Sequence, residues 1–137
     1  PMQTQQIIDT ILGYYPDTQA IYLFGSYGTE YERPESDIDL GLLLPHETAV
    51  QLPTLALTPV WHALRKSMGR EIDLINLRLV STVFQNEILN TARIILDSNR
   101  NARMVFEMQT LSAYQELSEE RKHILESFFE TKRAYNV

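Results

Sequence analysis

Apolar residues recur along this chain with two different periods, and the alternation between them outlines a fold. In "TQQIIDTILGYY", Ile7, Ile8, Ile11, Leu12 and Tyr15 fall on one helical face, and Thr4 stands where a cap belongs. "QAIYLF" (19–24) is a short run of β-forming residues and reads as a strand. "GSYGTEY" (25–31) reads as a turn opening a short helix, and "SDIDLGLLL" (36–44) as a second strand ended by Pro45. Residues 46–57 fit neither period, and Pro53 interrupts any helix there.

The signals agree again at "TPVWHALRKSMG" (58–69). Thr58 can cap, Pro59 suits the first helical position, Gly69 suits the exit, and Val60, Leu64 and Met68 make an apolar stripe. "REIDLINL" (70–77) predicts a third strand. "STVFQNEILNTA" (81–92) predicts a helix capped by Ser81 with Val83, Phe84, Ile88 and Leu89 turned inward, and "RIILD" (93–97) a fourth strand. From Asn101 to Thr131 the pattern is helical, through Met104, Val105, Met108, Leu111, Tyr114 and Leu117, then Ile124, Leu125, Phe128 and Phe129. Ser118 in "LSEER" is a weak restart that would split this into two helices, and the final "KRAYNV" reads as frayed. Alternating helices and strands predict an α/β or α+β domain with one main sheet. The C-terminal helices either cover that sheet or offer a surface to a partner.

Composition narrows the function. The 137 residues suit one domain with a real core, and 44% are hydrophobic. No apolar run approaches the roughly 20 residues of a membrane helix. "PMQTQQIIDT" has no signal-peptide pattern, so the expected location is cytoplasmic, and Pro1 ahead of Met2 reads as an addition to the natural start. Cysteine is absent, which excludes disulfides, thiol catalysis and Cys-ligated zinc. His46, His62 and His123 are far apart and fit no metal-ligand spacing. A net charge of -6 with 12 basic residues is poorly suited to neutralising phosphates, so no direct polynucleotide binding is expected. A basic protein partner is compatible with this charge but not demanded by it.

One stretch carries chemistry: "FGSYGTEYERPESDIDL" (24–40). On a strand, Asp37 and Asp39 point to the same face, about 7 Å apart at Cα, while Ile38, Leu40 and Leu42 point into the core. Two carboxylates on one face repel, and a hard cation such as Mg²⁺, which also takes phosphate oxygens, relieves them. In "REIDLINL", Glu71 and Asp73 face out with Ile75. If that strand lies beside the first, Asp73 joins the cluster, and three carboxylates can hold two metals roughly 4 Å apart for an in-line displacement at phosphorus. Glu71 is the competing third acid. Gly25 lets the backbone approach a ligand closely, and free N–H groups with the Ser26 hydroxyl favour phosphate there.

A lone D-x-D or Gly-Ser is a weak signal, since exposed aspartates are usually solvated and Gly-Ser is usually a turn. Their joint spacing is stronger: a chance match in a chain of this length is about 10⁻³ to 10⁻². Arg33 can reach a phosphate or be a solvated loop arginine. Tyr27 can stack on a base, though a packed loop aromatic is the better reading. Arg70 and Arg78 read most simply as surface charges.

"GSYGTEYERPESDIDL" resembles the G-S-x10-D-x-D signature of the polymerase-β-like nucleotidyltransferases, and "REIDLINL" resembles their third-acid strand. The short chain is similar to the minimal nucleotidyltransferase (MNT) branch, and within it to the MntA-like antitoxins paired with HEPN toxins. The catalytic resemblance covers 18–97; "STVFQNEIL" and "LSAYQEL" carry a less specific one. The resemblance implies a small mixed sheet flanked by helices in a single domain over 2–137, with a helical extension over 98–131. It implies transfer of AMP from ATP to a tyrosine of a HEPN-family ribonuclease toxin, with release of pyrophosphate. Gly25 and Ser26 would bind the triphosphate, Asp37 and Asp39 would hold Mg²⁺, and Asp73 would complete the site and help deprotonate the attacking hydroxyl. One departure matters: where many relatives have glycine four positions after the serine, this chain has Glu30, with Gly28 two positions earlier. Two rivals stand beside this reading: an aminoglycoside-type transferase, which normally needs an acceptor domain, and an antitoxin acting by contact alone.

Overall fold

The computed structural model describes residues 2–135. Pro1, Asn136 and Val137 lie outside the described residues. The elements run α1 (Met2–Tyr14), β1 (Ala20–Phe24), β2 (Ile38–Leu43), α2 (His46–Ala49), α3 (Pro59–Met68), β3 (Ile72–Asn76), α4 (Thr82–Thr91), β4 (Arg93–Asp97) and α5 (Arg100–Tyr135). The strands form one sheet in the order β3-β2-β1-β4. β1 pairs antiparallel with β2 and β4, and β2 pairs parallel with β3. A parallel pair needs a long crossover, and α2 and α3 supply it.

The period-2 patterning sorts the core into two layers. On one face Ile21, Leu23, Ile38, Leu40, Leu42, Ile72 and Leu74 pack against Ile7 and Ile11 of α1 and Val60 and Leu64 of α3. On the other, Ala20, Tyr22, Leu43 and Leu77 pack against Ile88 of α4 and Phe106 of α5. The start of α5 is tied to the sheet by charge as well. The Tyr22 hydroxyl donates to Glu107 (2.9 Å), and Arg103 pairs with both Glu107 (2.7 Å) and Asp97 (3.0 Å). Burial and the neighbouring Glu107 carboxylate hold the Tyr22 hydroxyl well above its usual pKa.

The caps sort by geometry. Ser81 caps α4, accepting the Phe84 N–H (3.2 Å), and Gly69 follows α3 in the left-handed conformation. Thr58 occupies the N-cap of α3, but its hydroxyl donates to the Leu55 carbonyl (2.6 Å) and caps nothing. Thr4 lies inside α1, which already begins at Met2. Val83, expected inward, is exposed. The ambiguous 46–57 stretch holds the short α2, and the carbonyls of Ala49 at its end and of Leu52 beyond it each accept from the buried Asn76 amide (3.0 Å). α5 runs unbroken through Ser118 to Tyr135, so the split at "LSEER" does not occur and 132–135 of the end expected to fray are helical, while Asn136 and Val137 lie outside the described residues. Arg78 is no plain surface charge: it donates to the Leu44 carbonyl (2.5 Å) and to Gln19 (2.6 Å), and lies over the Phe106 ring.

Candidate active site

Register places the acids. Asp39 is the cross-strand partner of Phe24 on β1 and of Asp73 on β3. Directly paired residues share a face, so the Asp39 and Asp73 carboxylates emerge on the same side of the sheet. Asp37 lies just before β2, which starts at Ile38, and is exposed rather than part of the strand. The three acids are still close enough to act on one another. Asp39 is half-buried, and its pKa is raised first by that burial, then by the charge of Asp73, then by that of Asp37. Glu71 is engaged elsewhere: its carboxylate pairs with Arg65 (2.5 Å), and its carbonyl accepts the Ile38 N–H (3.0 Å).

The Gly-Ser pair meets the same carboxylate. Gly25 has φ 71°, the left-handed region that glycine enters without steric cost, and a Cβ there would run into Asp39 Oδ2 and lie 3.1 Å from its Cγ. The glycine therefore does more than admit a ligand: it vacates the space that the Asp39 carboxylate fills. The Ser26 hydroxyl donates to the Ser36 hydroxyl (3.2 Å), which accepts the Arg33 N–H (2.8 Å). Ser26 thus sits in a hydroxyl chain leading back to the residue before Asp37.

No helix opens at 25–31. Positive φ at both Gly25 (71°) and Gly28 (77°) breaks any helical run, and the segment is a series of turns. The expected helix dipole behind the Gly25-Ser26 turn is therefore missing. The loop is instead braced by arginines from outside. Arg70 pairs with Glu32 (2.7 Å), donates to the Ser36 carbonyl (3.4 Å) and lies 4.9 Å over the Tyr27 ring. From the other flank, Arg93 donates to the carbonyls of Tyr27 (2.6 Å) and Gly28 (3.3 Å). The Glu32 carboxyl is lowered by the Gly28 N–H it accepts and then by Arg70. Tyr27 is a packed aromatic, buried with its hydroxyl donating to Gln3 (2.7 Å). The surface-charge reading of Arg70 is thus corrected, and the bracing by Arg70 and Arg93 carries no local sequence signal, since their hydrogen bonds span 34 to 66 positions.

The donor set suits a hard divalent cation: all-oxygen ligands, with the half-buried Asp39 carrying an anion that burial and two neighbours disfavour. Among the described residues, no three acidic or histidine side chains converge as a finished metal cage. The acids are neighbours rather than a closed ligand sphere. A separate hollow of about 550 Å³ on the α3 side is lined by His62, Arg65, Lys66 and Arg70 with Glu35 and Glu71, and none of the three aspartates lines it.

Residues 5–101 match the family described as "Polymerase beta, Nucleotidyltransferase". The chain is 29% identical over 125 residues to the protein adenylyltransferase MntA of Shewanella oneidensis, covering 91% of this chain and 86% of that one. It superposes on a toxin–antitoxin crystal structure solved with AMP-PNP at a TM-score of 0.69 and 26% identity, covering 92% of this chain and 98% of the other. A structure of a tri-AMPylated Shewanella oneidensis HEPN toxin in complex with MNT antitoxin gives a TM-score of 0.66 at 26% identity, over 93% and 97% of the two chains.

Proposed function

This chain belongs to the polymerase-β nucleotidyltransferase family, and on that premise we propose that it is an antitoxin that transfers AMP from ATP to a tyrosine of a HEPN-family toxin. Nucleotidyl transfer follows from the family; the protein acceptor and ATP are supported by the likeness to the MntA adenylyltransferase, to the AMP-PNP-bound toxin–antitoxin and to the complex holding a tri-AMPylated HEPN toxin. The observation that carries the reading is the Asp39 carboxylate, set between Gly25 and Asp73 by strand register.

In the reaction the tyrosine oxygen bonds to the α-phosphorus of ATP as the bond to the β,γ-pyrophosphate breaks. The tyrosine proton passes to a carboxylate, and pyrophosphate leaves. A tyrosine, with a pKa near 10, is more readily ionised than an aliphatic alcohol. Asp73, exposed at the face, is assigned as the proton acceptor and third ligand. Asp37 and Asp39 would hold Mg²⁺, as one ion or two, and Mg²⁺ supplies charge neutralisation on the phosphates and on the oxygens exchanging at phosphorus. Gly25 and Ser26 face the triphosphate, Gly25 by leaving room and Ser26 by its hydroxyl. Catalysis belongs to residues 18–97 and partner contact to the helical extension, within one cytoplasmic domain. Among the described residues no helix is long and apolar enough to cross a membrane.

The test is intact mass of a candidate cognate HEPN-family toxin after incubation with ATP, Mg²⁺ and this protein. The expected result is a gain of one AMP or a small multiple, with pyrophosphate released, lost when the acceptor tyrosine becomes phenylalanine. A toxin that is neutralised with no mass shift overturns the catalytic reading in favour of contact alone.

A further inference from the structure

The two halves of the signature meet through a pair of hydroxyls. Ser26 belongs to the Gly25-Ser26 turn, and Ser36 is the last residue before Asp37. Both are half-buried, and the backbone of each is pinned. The Ser26 carbonyl accepts from the Thr29 N–H (3.0 Å) and from the Thr29 hydroxyl (2.5 Å). The Ser36 N–H donates to the Arg33 carbonyl (3.0 Å), and the Ser36 carbonyl accepts from Arg70 (3.4 Å). Fixed in this way from both sides, the Ser26 and Ser36 hydroxyls stand 3.2 Å apart, although ten positions separate them in the sequence.

A serine hydroxyl carries one hydrogen and two lone pairs. Ser36 Oγ uses both lone pairs, one on the Arg33 N–H (2.8 Å) and one on the Ser26 hydroxyl. Among the described residues nothing accepts the hydrogen of Ser36 itself. At 3.2 Å the bond from Ser26 is longer than the roughly 2.7–2.8 Å usual between hydroxyls, so Ser26 is held loosely. The pair therefore has a second arrangement, reached by turning two hydrogens. The Arg33 N–H still donates to Ser36 Oγ, Ser36 now donates to Ser26 Oγ, and Ser26 donates to an anion standing before it. All three donors then run in one direction, and each polarises the next, so the last is the strongest.

We propose that Ser36 is a positioning residue for the nucleotide: it turns the Ser26 hydroxyl toward a phosphate oxygen of ATP and strengthens it as a donor, without touching ATP itself. The proposal rests on the function given above. A relay that ends in a donor suits phosphate oxygens, which only accept. The competing role for Ser36 is local. Its Oγ and its N–H both engage Arg33, and those two bonds hold the 33–36 turn whether or not residue 26 has a hydroxyl.

The two roles separate in a double-mutant cycle of Ser26→Ala and Ser36→Ala in the full chain, read by calorimetric titration with AMP-PNP and Mg²⁺. Ser26→Ala should raise Kd about tenfold and Ser36→Ala about fivefold, the scale of one hydrogen bond. Because both act through one hydroxyl, the double variant should stay at about tenfold. Ser36→Thr keeps a hydroxyl and should bind within about twofold of wild type. A double variant weakened about fiftyfold would show two independent roles, reduce Ser36 to a turn residue and overturn the relay. So would a Ser36→Ala that binds like wild type, or a Ser36→Thr as weak as Ser36→Ala. In each of those cases the wild type still binds AMP-PNP, and the proposed function stands. A wild type that binds no AMP-PNP would sink that function and the relay together.

Discussion

Replacing Gly25 with alanine separates two costs that a glycine in an active-site loop usually confounds. The first is conformational. At φ 71° an L-residue pays about 1–2 kcal/mol in the left-handed region. For a domain of this size that lowers the melting temperature by about 3–10 °C. The second is spatial: the new Cβ would overlap Asp39 Oδ2, so the carboxylate must swing aside or the strand end must shift. A displacement of about 1 Å at a reacting centre costs roughly 100-fold in rate. Gly28→Ala is the matched control. It has a similar φ of 77°, but its Cβ would meet only the Arg93 guanidinium, at 3.1 and 3.2 Å, the far end of a flexible side chain. Both variants should therefore lose similar stability by thermal melting. Transfer, followed by pyrophosphate release or by mass of the acceptor, should fall about 100-fold or more for Gly25→Ala and by less than about tenfold for Gly28→Ala. Equal losses in the two variants would show that backbone strain alone governs the loop and would refute the role of Gly25 in placing Asp39.

Asp39→Asn should abolish transfer and yet stabilise the fold. The folded-state pKa of Asp39 is raised, so at pH 7 the wild type carries a charge that folding disfavours; the gain should shrink as pH falls into the usual carboxylate range, where the unfolded chain is protonated too. Melting curves of both proteins at pH 7 and pH 4 check this, and a variant no more stable at pH 7 would contradict it. Asp73→Asn should cut turnover far more than ATP affinity, whereas Glu71→Gln, which removes only an exposed pair with Arg65, should change stability by about 0–1 kcal/mol and leave turnover near wild type. A crippled Glu71→Gln beside a mild Asp73→Asn would reverse the assignment of the third acid.

What the sequence made legible was whatever depends on near neighbours. α3 followed from Pro59, Gly69 and the Val60–Leu64–Met68 stripe, and two alternating strands made the outward faces of Asp39 and Asp73 legible, while the adjacency and parallel pairing of those strands came from the structure. The loop was misread because "GSYGTEY" contains helix-compatible residues, while its two glycines take backbone angles that composition does not announce. α5 was read as breakable at Ser118, but residues 100–135 contain neither glycine nor proline, and a serine that needs no cap does not stop a helix. Arg70, Arg78 and Arg93 looked like surface charges or drew no notice at all, because each acts on backbone or acid groups more than 30 positions away.

The stretch from Phe24 to Leu40 joins the two central strands, but its shape is imposed from the margins. Arg70 stands just ahead of β3 and Arg93 opens β4, and those two strands form the opposite edges of the sheet. The signature is therefore not a portable cassette. Grafted onto another hairpin it would carry its aspartates and glycines without the arginines that fix their path. A permutant whose new ends lie at Ala92 and Arg93 would slacken the loop without touching one residue of the motif. Selection on this loop is in that sense selection on the whole width of the sheet, and a chain that keeps the signature but trims either edge strand would keep the letters and lose the geometry.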